Sequence, residues 1–248
     1  MKNMHGKSQE QEVEMHLTKF LSLCGIASRR KCVEIIKDSQ IRVNGALVLE
    51  PGFRLVRSDR VSLGGRELRL SEMEKVYVML NKPRGYVCSS ADRFSEKLAV
   101  NLIKIPEVRL FSAGRLDKES EGLIIFSNDG GYVATLTHPR HGISKKYEVL
   151  TDRALGKEDV AILLSGIRDD NETLKAANIS NIGVGANRYL FIMKEGRKRE
   201  IRRLVAHTGA KVLHLKRIGI GTLEIGDLKA GQWRFLDKNE IASSLERD

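Results

Sequence analysis

Ala113-Gly114-Arg115-Leu116-Asp117-Lys118-Glu119-Ser120-Glu121-Gly122-Leu123-Ile124-Ile125-Phe126-Ser127 decides how this chain is read. Two glycines bracket a charged loop, and the loop runs into Leu123–Ser127, an apolar run of strand length. A helical pattern, Gly131–Thr137, follows. On residue chemistry alone, an Asp in such a loop is a turn or cap residue before it is a catalyst.

Outward from this unit, Val76–Leu80, Tyr86–Ser89, Tyr147–Leu150, Tyr189–Met193 and Val212–Ile218 read as strands. Leu98–Ile103, Asp159–Leu164 and Arg199–His207 read as helices. The helices do not alternate regularly with the strands, which argues against a doubly wound parallel sheet. The spacing predicts an α+β domain over 76–248 with a mixed, largely antiparallel sheet.

Ahead of it the pattern predicts a small α/β module over 15–65. Leu17, Phe20, Leu21 and Cys24 share one helical face, Gly25 ends that helix, and Ser28 caps a second whose stripe is Cys32, Ile35 and Ile36. Asn44-Gly45 between alternating apolar residues marks a hairpin, and Val61–Arg66 reads as another. Residues 66–75 read as a polar linker and 1–14 as a flexible extension without the apolar stretch of a secretory signal.

The 248 residues carry a net charge of +11, with 41% hydrophobic and 30% charged residues. That balance suits a globular chain whose partner is a polyanion. No apolar run approaches membrane length, so no membrane partner and a cytoplasmic address are expected. Between His16 and Val48, Lys19, Arg29, Arg30, Lys31, Lys37 and Arg42 face only Glu34 and Asp38, a net of +4. Arg29, Arg30 and Lys31 open the second helix, where free backbone N–H groups add to the positive field. The cysteines are Cys24, Cys32 and Cys88. Their odd number and wide spacing argue against disulfides or zinc, and Cys24 and Cys32 are expected to be buried apolar residues. No metal is expected.

Leu17–Leu21, Gly25–Lys31 and Ile41–Gly45 together resemble the small RNA-binding domain named after ribosomal protein S-four. Gly114-Arg115-Leu116-Asp117, Ser120, Gly122-Leu123 and Ser127–Gly130 resemble the catalytic loop of pseudouridine synthases. Lys145-Lys146-Tyr147 is similar to that family's Lys-x-Tyr strand, and Glu195–Leu204 to its basic strand-to-helix segment. Asn81–Tyr86 and Arg217–Arg234 fit as well, and the whole is similar to the RsuA-type branch, which acts on ribosomal RNA. Glu200 stands where that group usually has Gln, and Ser120 where Thr is common.

The resemblance implies that uridine is isomerised to pseudouridine, a reaction that requires no cofactor. It implies Asp117 as the catalytic carboxylate, Tyr147 as the ring against the target base, and Arg202 as the cation pairing with Asp117. It also implies RNA contacts for Lys19, Arg29, Arg30, Lys31 and Arg42 in the first module, and for Lys82, Arg115, Lys145 and Arg197 in the second. The expected partner is ribosomal RNA, naked or in an assembly intermediate, met by a monomer. Asn81–Ser89 and His138–His141 look nearer to small-subunit rRNA enzymes, whereas the 114–128 loop is also similar to large-subunit members. A non-catalytic RNA-binding assembly factor of the same fold is the competing reading.

Overall fold

Residues 13–38, 41–69, 74–88, 97–106, 108–183 and 187–247 are described by the computed structural model. They form two compact units divided between Glu74 and Lys75.

The first unit contains, in order, β1 (Val13–His16), α1 (Leu17–Leu23), α2 (Arg29–Asp38), β2 (Ile41–Val43), β3 (Ala46–Leu47), β4 (Arg54–Val56), β5 (Val61–Leu63) and β6 (Arg66–Leu68). Gly25 takes φ +78° and ends α1, while the Ser28 hydroxyl accepts the Lys31 N–H at 3.2 Å and caps α2. Leu17, Leu21, Cys32 and Ile36 then bury the facing helix stripes against Ile41, Val43 and Val61. Each such side chain contributes about 2 kcal/mol of hydrophobic stabilisation. Asn44 and Gly45 both have positive φ, +52° and +84°, the conformation of a two-residue hairpin turn between β2 and β3.

Three expectations for this unit need correction. β1 begins inside the stretch read as an extension, because it finds a partner in β4. The stretch read as a linker opens with β6, which pairs with β5; residues 70–73 lie outside the described residues. Cys24 is half-exposed at the end of α1, and its thiol donates to the Arg69 carbonyl at 3.5 Å.

The second unit contains β7 (Tyr77–Lys82), β8 (Phe111–Ser112), β9 (Glu121–Ser127), α3 (Gly130–Thr137), β10 (Lys145–Thr151), α4 (Lys157–Ser165), β11 (Ile167–Asp169), β12 (Glu172–Leu174), β13 (Asn178–Asn181), β14 (Arg188–Met193), α5 (Glu200–His207), β15 (Val212–Ile220), β16 (Leu223–Glu224), β17 (Trp233–Phe235) and α6 (Lys238–Leu245). Its nine-stranded sheet runs β13-β14-β10-β15-β9-β7-β17, with β16 on β15 and β8 on β9. All pairings are antiparallel except β15 with β9, so the sheet is mixed and mostly antiparallel, as the pattern predicts.

Alternation along β7 and β9 explains why both strands are apolar throughout. Val78, Leu80, Ile124 and Phe126 enter one core with Leu163, Leu204 and Val205. Met79, Leu123 and Ile125 enter a second with Tyr132, Leu136 and Ile220. A central strand covered on both faces loses the polar half of its alternation. Asp129 caps α3 by accepting from the Gly131 and Tyr132 N–H groups at 2.9 and 3.2 Å.

Two expected elements here are smaller than predicted. Val87, within the expected strand Tyr86–Ser89, forms only an isolated bridge with Leu98, and Ser89 lies outside the described residues. The helix expected over Leu98–Ile103 is a single 3-10 turn, Ala99–Leu102. Among the described residues no helix is long and apolar enough to cross a membrane.

Candidate active site

The loop 113–120 is fixed at several points before it enters β9. Ala113 N–H donates to Ile125 O at 2.7 Å, and Leu116 N–H to the buried Cys88 sulfur at 3.4 Å. Gly85 N–H, in the turn after β7, donates to Lys118 O at 2.8 Å, and Ser120 N–H closes a turn onto Asp117 O at 3.0 Å. Arg84 pairs with Glu119 at 3.1 Å. Held this way, the half-buried Asp117 stands in the wall of a cavity of about 1110 Å³. Among the described residues no hydrogen bond or ion pair engages its carboxylate.

Tyr147, 9% exposed, projects from β10 into the same cavity. The sheet places it there, since its neighbours are Phe191 on β14 and Arg217 on β15. The segment 195–199 supplies another wall with Glu195, Arg197, Lys198 and Arg199. Arg199 turns it into α5 with a left-handed backbone, φ +53°. Arg203 secures this segment from behind, pairing with Asp169 at 2.6 Å and Glu172 at 2.7 Å on the β11–β12 hairpin.

Arg202 differs from its expected role. It does not line the cavity. Its Nη1 donates to Val212 O at 3.2 Å and its Nη2 to Glu119 O at 3.4 Å, while its buried Nε has no partner among the described residues. It thus reaches the Asp117 loop through main chain, and among the described residues no ion pair joins it to Asp117. Burial pushes the guanidinium below its ordinary pKa and Arg199 adds to the effect, whereas the nearby Asp117 carboxylate opposes it.

Lys82 also departs from expectation. It is fully buried, and its ammonium donates to the Pro83 and Tyr86 carbonyls at 3.0 Å each. Burial lowers its pKa. This lysine holds the turn whose Gly85 grips the Asp117 loop, and it has no surface for RNA.

The remaining expected RNA contacts are placed as follows. Arg115 is exposed at the cavity wall; Arg197 lies there too, engaged with Glu195 at 2.8 Å. Lys145 is half-buried, donating to Ile143 O at 2.7 Å. In the first unit Lys19, Arg29, Arg30, Lys31 and Arg42 are all exposed, with Lys31 paired to Glu34 and Arg42 donating to Gly45 O at 2.8 Å. Glu200 does not pair with Arg202. It is buried and accepts the Arg197 N–H at 3.0 Å, and burial raises its pKa.

Sequence reasoning gave no role to Cys88, whose sulfur sits against the loop, or to Arg217. Arg217 lies mid-strand in β15 at 3% exposure, its Nε donating to Leu123 O at 2.7 Å. No local pattern marks it, because its burial depends on β9 closing over it.

Residues 76–207 match the RNA pseudouridylate synthase family and residues 15–61 the S4 domain. The chain is 32% identical to a ribosomal large subunit pseudouridine synthase B of Bacillus subtilis, over 91% of this chain and 93% of the relative. It is 31% identical to a ribosomal small subunit pseudouridine synthase A of Vibrio vulnificus, over 92% of this chain and 99% of the relative. A solved pseudouridylate synthase structure superimposes with a TM-score of 0.68 at 28% identity, covering 93% of this chain and 100% of that one. The chain is a member of the RNA pseudouridylate synthase family, an isomerase with an S4 domain ahead of its enzyme domain.

Proposed function

We propose that this enzyme isomerises a specific uridine of ribosomal RNA, with Asp117 as the reacting carboxylate, and that the uridine belongs to the small subunit. The observation that carries the reading is the Asp117 carboxylate, without a partner among the described residues, in a wall shared with Tyr147. A uracil ring packed on Tyr147 gains about 1–3 kcal/mol from stacking, enough to offset much of the cost of extruding the nucleotide. The carboxylate then meets the sugar, either attacking the anomeric carbon or removing a ribose proton. In both routes the N1–C1′ bond breaks and the detached base turns. C5 then bonds to C1′, which breaks the carboxylate–C1′ bond in the first route and returns the ribose proton in the second; the C5 proton leaves and N1 gains one. Arg202 supports the loop through Glu119 O and contributes positive potential near Asp117. The small-subunit assignment is supported by the Asn81–Ser89 and His138–His141 stretches; relatives named for both subunits leave the large subunit as its alternative.

Asp117→Asn preserves the shape of the side chain and removes its charge. We expect it to bind rRNA normally and form no pseudouridine, read by pseudouridine-specific mapping of both rRNAs in cells carrying only the variant. Wild-type conversion by the variant sinks the assignment. A lost modification in the large-subunit rRNA alone, on deleting the gene, overturns the small-subunit part.

A further inference from the structure

Beside the main cavity lies a chamber of about 180 Å³ that shares Gly114, Arg115, Tyr147 and the segment 195–197 with it. Its wall carries Arg115, Lys145, Lys194, Arg197 and Arg217 against one acid, Glu195. That acid is engaged by Arg197. Lys145 and Arg217 have no acidic partner among the described residues. Arg217 is 97% removed from solvent, and its Nη2 is a buried donor without an acceptor among the described residues. Burial and the neighbouring Arg217 together push the Lys145 amine down to about 8. Two partly desolvated cations so placed repel each other, and the unsatisfied guanidinium N–H carries its own desolvation penalty. An oxyanion in the chamber answers both, since it neutralises the pair and supplies the missing acceptor.

We propose that this chamber seats a phosphodiester flanking the target nucleoside, gripped by Arg217 and Lys145. The proposal rests on the reading of the main cavity as the uridine site. An arginine fork matches the oxygens of a phosphate, and an ammonium adds a point charge without geometric demand. Tyr147 belongs to both walls, so a base against its ring brings a neighbouring backbone phosphate to the chamber. In that role Arg217 and Lys145 set how deeply the nucleoside enters, and the Arg217 Nε bond to Leu123 O ties that depth to the strand leaving the Asp117 loop.

The test is calorimetric titration of the full chain with uridine, its 5′- and 3′-monophosphates, and inorganic phosphate. It is run at pH 8 in two buffers of different ionisation heat. We expect one monophosphate to bind about tenfold or more tightly than uridine. We expect its binding to take up protons, because an anion at the chamber restores the Lys145 charge. Lys145→Met should abolish the proton uptake and most of the advantage. Arg217→Lys, which keeps charge but lacks the fork, should reduce the advantage; if it fails to fold, Lys145→Met decides alone. The proposal is overturned by monophosphates that bind no better than uridine, by an advantage without proton uptake, or by one that survives Lys145→Met. Inorganic phosphate binding with proton uptake while the monophosphates gain nothing also overturns it, since the chamber then takes only a free anion. Turnover plays no part in this readout. A chain that converts no uridine yet passes the titration loses the proposed function and keeps the phosphate seat.

Discussion

Glu200 shows how a single buried group ties stability to pH. Burial raises its pKa above the usual 4.5, so the folded chain keeps this proton to higher pH than the unfolded one. Its contribution is therefore full below the unfolded value and is lost as pH rises through the folded value. Glu200→Gln offers the same acceptor to the Arg197 N–H without a charge to desolvate. We expect it to stabilise the fold by about 1 kcal/mol at neutral pH, a gain that vanishes towards pH 4 in urea melts. At this scale the sequence was readable wherever chemistry is local. The resemblance carried by the strings around them names Asp117 and Tyr147, and both line one cavity. Lys82, Arg202 and Arg217 could not be placed, because a cation's exposure depends on how the main chain folds over it. In these three cases the closing atoms are the Pro83 and Tyr86 carbonyls, Val212 and Glu119 carbonyls, and Leu123 O.

Between elements, β9 and β15 meet in close contact at Gly122. A Cβ added to Gly122 would lie 2.2 Å from Arg217 O, at φ +104° where side chains are strained anyway. Gly122→Ala must therefore push apart the pairing of Lys216 and Arg217 with Glu121 and Gly122, the parallel joint of the sheet. We expect a loss of about 3 kcal/mol or more, read from the urea midpoint, with activity falling alongside it. Elements with their own signals were legible: the Asn44-Gly45 hairpin, the Ser28 cap and the double-sided strand β9. Tyr86–Ser89 misled because Tyr and Val favour strands, while the turn at Gly85 delivers them to a place where only Leu98 pairs. β17 went unread because its partner β7 lies some 150 positions earlier in the chain, a separation no window of neighbours spans. α6 had a usable signal, since Asp237 and Glu240 form a capping box at its start.

For the molecule as a whole, the +11 charge and the two units bear on how RNA is held. We propose that the exposed Arg29, Arg30 and Lys31 of the first unit add affinity for RNA and no chemistry. Replacing all three with Ala should weaken RNA binding and flatten the dependence of log K on log salt by about 2. An unchanged slope in filter-binding assays across salt concentrations counts against a role for these side chains. Composition made a polyanionic partner legible, but which cations meet it is settled only by folding. The parallel joint at Gly122 and Arg217 has a temporal meaning as well. Asp117 lies in the loop just ahead of Gly122, Tyr147 lies between the two joined segments, and Arg217 lies on the later one. Joining distant segments costs loop-closure entropy before any contact repays it. A chain made only as far as β10 already carries Asp117 and Tyr147, yet it lacks Arg217 and both strands, β14 and β15, that flank β10. Asp117 and Tyr147 are thus made before the strand that completes their cavity, and the parallel joint can close only once β15 has emerged.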